Sequence, residues 1–289
     1  MFYSPLRYPG GKGKLADFIA IMIEVTGHIG GTYIEPFAGG AGVAIELLEK
    51  DIVSSIVIND LDKGVYSFWR AILTETDRFI DTIRNTPVNM DEWRRQREIC
   101  LQKNRRYSFE LGFSTFYMNR TNRSGIIKGG VIGGQEQDGK WKIDARFNKE
   151  ELIARIRKIA AKKHLIHLYN KDIESFITKY VPKYEENAFI YFDPPYFNKG
   201  KQLYLNFFNY KDHVRIEEII RNHVTCDWII TYDDVPEIAT IYGDRCMRRF
   251  ALTYSVANKR RAHELMIFRS EDEIPSDELL RQQKIRLAL

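Results

Sequence analysis

The sequence predicts an α/β protein: an open, largely parallel, Rossmann-like sheet interrupted by one long insertion. Three stretches carry that expectation. Thr32-Tyr33-Ile34-Glu35 runs through the glycine turn Gly39-Gly40-Ala41-Gly42 into the apolar-periodic Val43-Ala44-Ile45-Glu46-Leu47-Leu48, the strand, turn and helix that open a nucleotide-binding βαβ unit. Ala188-Phe189-Ile190-Tyr191-Phe192 carries no charge and three aromatics, as suits a strand buried on both faces of a parallel sheet. Between these two, residues 74–162 change character, from helical patterns to a glycine-rich stretch dense in amides and guanidinium groups.

Composition bounds the class. In 289 residues, 44% hydrophobic and 29% charged content are ordinary for a globular protein. No apolar run approaches the roughly 20 residues that span a bilayer. Met1-Phe2-Tyr3-Ser4-Pro5-Leu6-Arg7 lacks the apolar core of a signal peptide. Cys100, Cys226 and Cys246 have no metal spacing and form no even disulfide set, so a reducing, cytoplasmic setting is expected. The net charge of +5 is unevenly placed: residues 101–170 hold 15 Lys/Arg against 6 Asp/Glu, a surplus of +9, leaving the remainder at −4. A basic middle in a slightly acidic chain points to a polyanion-binding surface; a solvated helical face is the plainer alternative.

At the amino end, Tyr8-Pro9-Gly10-Gly11-Lys12-Gly13-Lys14 feeds the helical pattern from Leu15 to Met22. It is not a P-loop, because no Ser or Thr follows either Gly-Lys and no glycine stands five positions earlier. A glycine turn before a helix, with free N–H groups, two lysines and an aromatic, can clamp an anionic or carboxylate-bearing ligand, or simply start a helix. In the next unit, Asp60 follows Gly40 by 20 residues, at the end of strand Ile56-Val57-Ile58-Asn59, where an acid accepts from ribose hydroxyls. The glycines read Gly-Gly-x-Gly, not the dinucleotide pattern, and Glu35 and Pro36 precede them. A second acid beside the turn disfavours a pyrophosphate and favours a cofactor with a cationic centre, S-adenosylmethionine over NAD. A purely structural glycine turn is the alternative.

Helical patterns occupy 61–73, 75–85 and 89–103. Then Phe113-Ser114-Thr115-Phe116-Tyr117-Met118-Asn119-Arg120-Thr121-Asn122-Arg123-Ser124-Gly125 mixes aromatic with amide and guanidinium groups, and Lys128-Gly129-Gly130-Val131-Ile132-Gly133-Gly134 leads to Trp141-Lys142-Ile143. Two short β-prone pieces joined by glycine turns predict a projecting hairpin or loop. Arg, Asn and Lys read base edges and hold phosphates, and aromatics stack on bases, so this segment is the candidate nucleic-acid contact; a surface loop with incidental charges is the alternative.

Helix 148–163 precedes a third strand, His164 to Tyr169, and Asp172 then stands either as partner to an adenine amine or as the N-cap of helix 173–179. His164 and His167 have no Cys or acid partner to complete a metal set, and no metal is expected. After the uncharged strand, Asn198-Lys199-Gly200-Lys201-Gln202 reads as a basic loop, followed by helix 211–223, strand Asp227 to Tyr232 ending in Asp233-Asp234, the basic turn Asn258-Lys259-Arg260-Arg261, and a last strand Glu264 to Phe268. His213 and His263 read as surface histidines.

The uncharged strand ends at Asp193-Pro194-Pro195-Tyr196-Phe197. Two prolines cannot donate to a ladder, so the strand stops where the carboxylate sits, at the sheet edge where open α/β folds bind ligands. An acceptor carboxylate, carbonyls on a stiff backbone and a flat ring suit a planar heterocycle with an exocyclic amine. Alternatively Asp193 caps a turn and Tyr196 packs.

With Leu6-Arg7-Tyr8-Pro9-Gly10-Gly11-Lys12, Glu35-Pro36-Phe37-Ala38-Gly39-Gly40-Ala41-Gly42 and Asp193-Pro194-Pro195-Tyr196 in this order, roughly residues 4–269 resemble the Dam-like, alpha-group DNA adenine-N6 methyltransferases. The resemblance implies a Rossmann-like S-adenosylmethionine-dependent methyltransferase sheet with an inserted helical and hairpin target-recognition domain: catalytic domain 1–73 and 163–289, insertion 74–162. It implies catalytic Asp193, Pro194 and Tyr196, and a cofactor site of Tyr8, Lys12, Glu35, Pro36, Phe37, Gly39, Gly40, Gly42, Asp60, Asp172 and Asp193. For DNA contact it implies Asn119 and Arg120, and the amide, guanidinium and ammonium groups of the same segment add Asn122, Arg123 and Lys128. The partner expected is double-stranded DNA, bound by a monomer or weak dimer. A methyltransferase of RNA or a protein amide, or an inactive DNA-binding relative, shares these motifs.

Overall fold

The computed structural model describes residues 3–7, 13–102, 106–197, 208–253, 261–276, 278–279 and 287–288. In chain order the helices and strands are α1 (Gly13–Val25), β1 (Thr32–Glu35), α2 (Gly42–Glu49), β2 (Ser55–Asn59), α3 (Lys63–Thr74), α4 (Thr76–Asn85), α5 (Met90–Leu101), α6 (Phe109–Thr121), α7 (Lys149–Ala161), β3 (Ile166–Tyr169), α8 (Ile173–Lys179), β4 (Ala188–Phe192), α9 (Tyr210–His223), β5 (Asp227–Asp233), α10 (Pro236–Ile241), β6 (Cys246–Thr253), β7 (Arg261–Phe268) and β8 (Leu287–Ala288). They group into two compact units, Gly10–Leu61 with Lys171–Leu289, and Met1–Pro9 with Asp62–Asn170.

In the first of these, the strands stand in the order β2-β1-β4-β5-β7-β6-β8. β1 pairs in parallel with β2 and with β4, and β4 in parallel with β5. β7 then lies antiparallel to β5, and β6 antiparallel to β7. This is a Rossmann-like sheet with an antiparallel flank. Every residue of β4 is buried, because a central parallel strand is covered on both faces. Parallel pairing has a functional consequence: β1, β2, β4 and β5 all end at one edge, so Glu35, Asp60, Asp193 and Asp233 gather along it. β6 and α10 were not expected. Arg248 and Arg249 interrupt the apolar alternation of β6, which hides an outer strand from a pattern search.

The second unit is helical apart from β3, which starts at Ile166 after a 3-10 turn over Lys163–Leu165, two residues later than expected. Its core is aromatic. Phe116 stacks on Phe68 at 5.8 Å, and Phe79 meets Phe68, Phe109, Phe113 and Phe116 at 5.4–5.8 Å, mostly edge-on. Such edge-to-face pairs are favoured by the ring quadrupole. α3 and α6 approach closely because Gly112 has no side chain: a Cβ there would lie 2.5 Å from the Ser67 carbonyl oxygen. α6 itself is buried at every position except Glu110, which explains why no amphipathic stripe marks it in the sequence.

Of the hairpin or loop expected here, it is a loop that forms. Between Asn122 and Lys142 there is one isolated antiparallel bridge, Asn122 to Val131, and a series of turns. Glycines at 129, 130, 133 and 134 weaken strand formation, and the Gln137 side chain supplies the bonds a ladder would make. Its Nε2 donates to the Ile132 and Gly134 carbonyls at 2.8 and 2.7 Å, and its Oε1 accepts from Ile143 N at 2.8 Å.

Candidate active site

Asp193 follows β4 directly and is half-buried. Thr231 Oγ1, on the neighbouring strand β5, donates to Asp193 Oδ1 at 3.2 Å, and Tyr191 OH lies 2.7 Å from Thr231 Oγ1. An ionised carboxylate only accepts, so the Thr231 proton points at Asp193 and the Tyr191 hydroxyl donates to Thr231. The β4–β5 pairing of Phe192 with Ile230 sets this alignment, since it places the next pair, Asp193 and Thr231, side by side.

The residues after Asp193 are pinned in the same way. Tyr196 OH donates to Glu264 Oε2 at 2.7 Å, anchoring a ring that is 8% exposed. Phe197 N donates to Asp233 Oδ1 at 2.8 Å. The stiff Pro194-Pro195 backbone is therefore tied down at both its flanks by the carboxyl end of β5 and by β7.

Around the glycine turn, Tyr33 OH donates to buried Glu35 Oε1 at 2.9 Å. Burial, and secondarily the Glu35 charge, holds the Tyr33 hydroxyl well above its ordinary pKa, so it stays a donor. Asn59 closes the turn from β2: its Nδ2 donates to the Pro36 carbonyl at 3.0 Å and its backbone carbonyl accepts from Ala38 N at 2.9 Å. Asp60 Oδ2 accepts from Gly39 N at 2.7 Å. The same Asn59 amide grips Lys171, accepting from its N at 2.9 Å and donating to its carbonyl at 3.1 Å. That fixes the start of the segment carrying Asp172, an exposed residue that caps α8 by accepting from Ser175 N at 2.9 Å. Gly39 and Gly40 are buried, and Gly42 is the exposed first residue of α2. Phe37 meets Phe208 edge-on at 6.1 Å.

His213, expected on the surface, has zero exposure. It sits in the first turns of α9 among the rings of Phe197, Phe208 and Tyr232, at 5.4, 5.7 and 5.4 Å, with Nδ1 3.2 Å from Tyr232 OH. Burial lowers its pKa, with Asp233 and Asp212 opposing, which keeps the ring neutral. It is an aromatic prop beneath Phe197. Tyr8, Lys12, residues 198–202 and residues 258–260 lie outside the described residues.

The donor set fits S-adenosylmethionine. Glu35, Asp60 and Asp193 along one sheet edge favour a ligand with cationic centres and ribose hydroxyls, and they would repel a pyrophosphate. Among the described residues no group of three His, Cys, Asp or Glu is arranged to hold a metal ion. No helix among them is long and apolar enough to cross a membrane.

Residues 8–260 match the D12 class of N6 adenine-specific DNA methyltransferases. The chain belongs to this family. It is 24% identical over 234 residues to the type II methyltransferase M.MjaIII of Methanocaldococcus jannaschii, covering 75% of this chain and 78% of that protein. It also aligns with two solved structures. An S-adenosylmethionine-dependent methyltransferase from Agrobacterium tumefaciens gives a TM-score of 0.41 at 9% identity, over 89% of this chain and 61% of that one. The rRNA methyltransferase aviRa from Streptomyces viridochromogenes gives 0.36 at 11% identity, over 92% and 88%. The protein is an S-adenosylmethionine-dependent enzyme that methylates adenine N6 in DNA.

In this methyltransferase, three residues expected to touch DNA make hydrogen bonds inside the protein. Asn119 is buried and locks the amino-terminal segment in place: its Oδ1 accepts from Arg7 N at 2.7 Å, and its Nδ2 donates to the Arg7 and Gly125 carbonyls at 2.8 and 2.9 Å. Asn122, fully buried, accepts from Trp93 Nε1 at 2.8 Å and donates to the Ile126 and Ile127 carbonyls at 3.0 and 2.9 Å. Arg120 is 9% exposed and donates through Nε to the Arg146 carbonyl at 2.7 Å. Burial first, then the charges of Arg7, Arg155 and Arg146, lowers its pKa to about 9. Arg123 and Lys128 are exposed on the same segment.

Sequence reasoning missed Thr231, Glu264, Asp233, Asn59 and His213. No local signal in the sequence marks any of them as a site residue.

Proposed function

We propose that Asp193, Pro194 and Tyr196 form the pocket for an adenine rotated out of duplex DNA at a specific sequence, with the enzyme acting as a monomer or weak dimer. The observation that carries this reading is the Tyr191–Thr231–Asp193 hydroxyl chain, which fixes an acceptor carboxylate at the carboxyl end of β4. S-adenosylmethionine supplies the electrophilic methyl group. Glu35, Pro36, Phe37, Gly39, Gly40, Gly42, Asp60 and Asp172, with Tyr8 and Lys12, bind it; Asp60 takes the ribose hydroxyls and Phe37 faces the sulfonium.

Asp193 and the Pro194 carbonyl accept the two N6 hydrogens of the base, and Tyr196 stacks on its ring. These contacts offset the few kcal/mol that extruding a base costs. They also turn the N6 lone pair toward the methyl group. Holding the two reactants in line can supply about 7–11 kcal/mol of the barrier reduction. Once N6 carries the methyl group it sheds a proton readily, and Asp193 is the acceptor already bonded to it. The unit built from residues 62–170 carries target recognition, with Arg123 and Lys128 among its DNA contacts. The identity between this chain and a type II methyltransferase supports a modification role beside a restriction enzyme.

Asp193→Asn and Asp193→Ala test the assignment. Tritiated-methyl transfer to duplex DNA should fall to background in both, while calorimetry still detects S-adenosylmethionine binding. Full methylation by either variant would falsify the assigned role.

A further inference from the structure

The chain has tryptophans at 69, 93, 141 and 228. Trp69, Trp93 and Trp228 are core residues, 1%, 4% and 2% exposed, whereas Trp141 is 64% exposed. An indole left in water forfeits a large apolar burial, so its display calls for a reason. Loose chain is not that reason. Two residues on, Ile143 is buried, and its N–H is fastened to Gln137 Oε1. Lys142 Nζ donates to the Gln137 carbonyl. On the other side, a Cβ at Gly133 would come within 2.7 Å of the Trp141 carbonyl oxygen, so the backbone bearing Trp141 rests on a glycine. Gly139 N donates to the Gly133 carbonyl at 3.1 Å, closing the turn.

The protein thus presents one large aromatic face on a backbone that is already ordered, the arrangement that binds with the least entropic loss. The neighbours indicate what it faces. Lys140 Nζ lies 5.6 Å from the Trp141 ring centre and Lys142 follows it, within the segment whose surplus charge is +9. Cations flanking an exposed ring match phosphates flanking a base, and not an apolar protein surface.

We propose that Trp141 is a DNA-contacting residue of this methyltransferase, stacking its indole on a base or base step of the duplex while Lys140 and Lys142 meet adjacent phosphates. This rests on the reading that the unit built from residues 62–170 carries target recognition. Because the other three tryptophans are buried, acrylamide-quenchable emission reports Trp141. Saturating wild-type protein with duplex DNA should shield that emission, and Trp141→Phe should remove the quenchable signal while keeping near-wild-type affinity. Trp141→Ala, a surface change that leaves the melting temperature in place, should weaken duplex binding about tenfold or more by fluorescence anisotropy. Emission that stays quenchable with DNA bound, or Trp141→Ala protein with wild-type affinity, overturns the role of Trp141 and leaves the DNA reading standing. Wild-type protein that binds no duplex in anisotropy overturns both.

Discussion

Thr231 donates to Asp193 across the junction of β5 and β4, from a residue with no exposure to one that is half-buried. The bond sets the carboxylate plane and leaves the position of the chain unchanged. Thr231→Val keeps the shape and removes the bond. We expect single-turnover methyl transfer to slow by roughly 10- to 100-fold, the loss that a misdirected catalytic group produces. Affinity for S-adenosylmethionine, measured by calorimetry, should stay within about twofold. A wild-type turnover rate would show that Asp193 needs no brace.

The Tyr196–Glu264 bond separates ring from hydroxyl. Tyr196→Phe retains the face proposed to stack and loses a hydrogen bond to a buried carboxylate, costing about 1–3 kcal/mol of stability. Denaturant midpoints should drop accordingly, while kcat falls far less than in Tyr196→Ala. Equal kcat losses in the two variants would mean that the hydroxyl, not the face, matters to the reaction.

Asn122 is the best single test of what the amides of this segment do. Asn122→Ala strips partners from the Trp93 indole and from the Ile126 and Ile127 carbonyls, all in the interior or close to it. A cost of roughly 2–4 kcal/mol follows from leaving buried polar groups unmet. Thermal unfolding should shift down before any DNA is added. A variant that melts normally but loses DNA affinity would restore Asn122 as a base-reading residue.

A pH effect arises at the amino end of β5. Asp227 accepts from His28 Nε2 at 2.9 Å and pairs with Arg269, and nearby Glu273 is pushed up to about 7 by burial and then by the Asp227 charge. A carboxyl raised in the folded state favours folding while protonated. Its contribution is therefore complete below the ordinary value of 4.5 and is lost as pH rises through about 7. The stability of Glu273→Gln relative to wild type should grow between pH 5 and 8, by something on the order of 2 kcal/mol. A pH-independent difference in unfolding free energy would contradict the shift.

What the sequence made legible is what local chain direction fixes. The uncharged run before Asp193 could only be a central strand, and two prolines set its end. The glycine turn, α2 and Asp60 follow from spacing within one βαβ unit. What stayed hidden depends on which distant residues meet. Thr231 and Glu264 reach the motif through strand pairing, and no local pattern announces a partner 38 or 68 positions away. Asn119 and Asn122 were ambiguous for a different reason: an amide that can read a base edge satisfies a backbone carbonyl equally well, and their internal bonds could not be read from the sequence. His213 is polar by composition and apolar by environment, so its place among three rings could not be read from its identity.

The loop from Val131 to Ile143 is fastened by one of its own side chains, Gln137, and lends the core little beyond its two end residues. A segment that carries its own fastenings can be exchanged for one of another length or composition without repacking the phenylalanine cluster beneath the helices. Natural variation and directed evolution can therefore work on this stretch as a cassette while the sheet and the carboxylates at its edge keep their form.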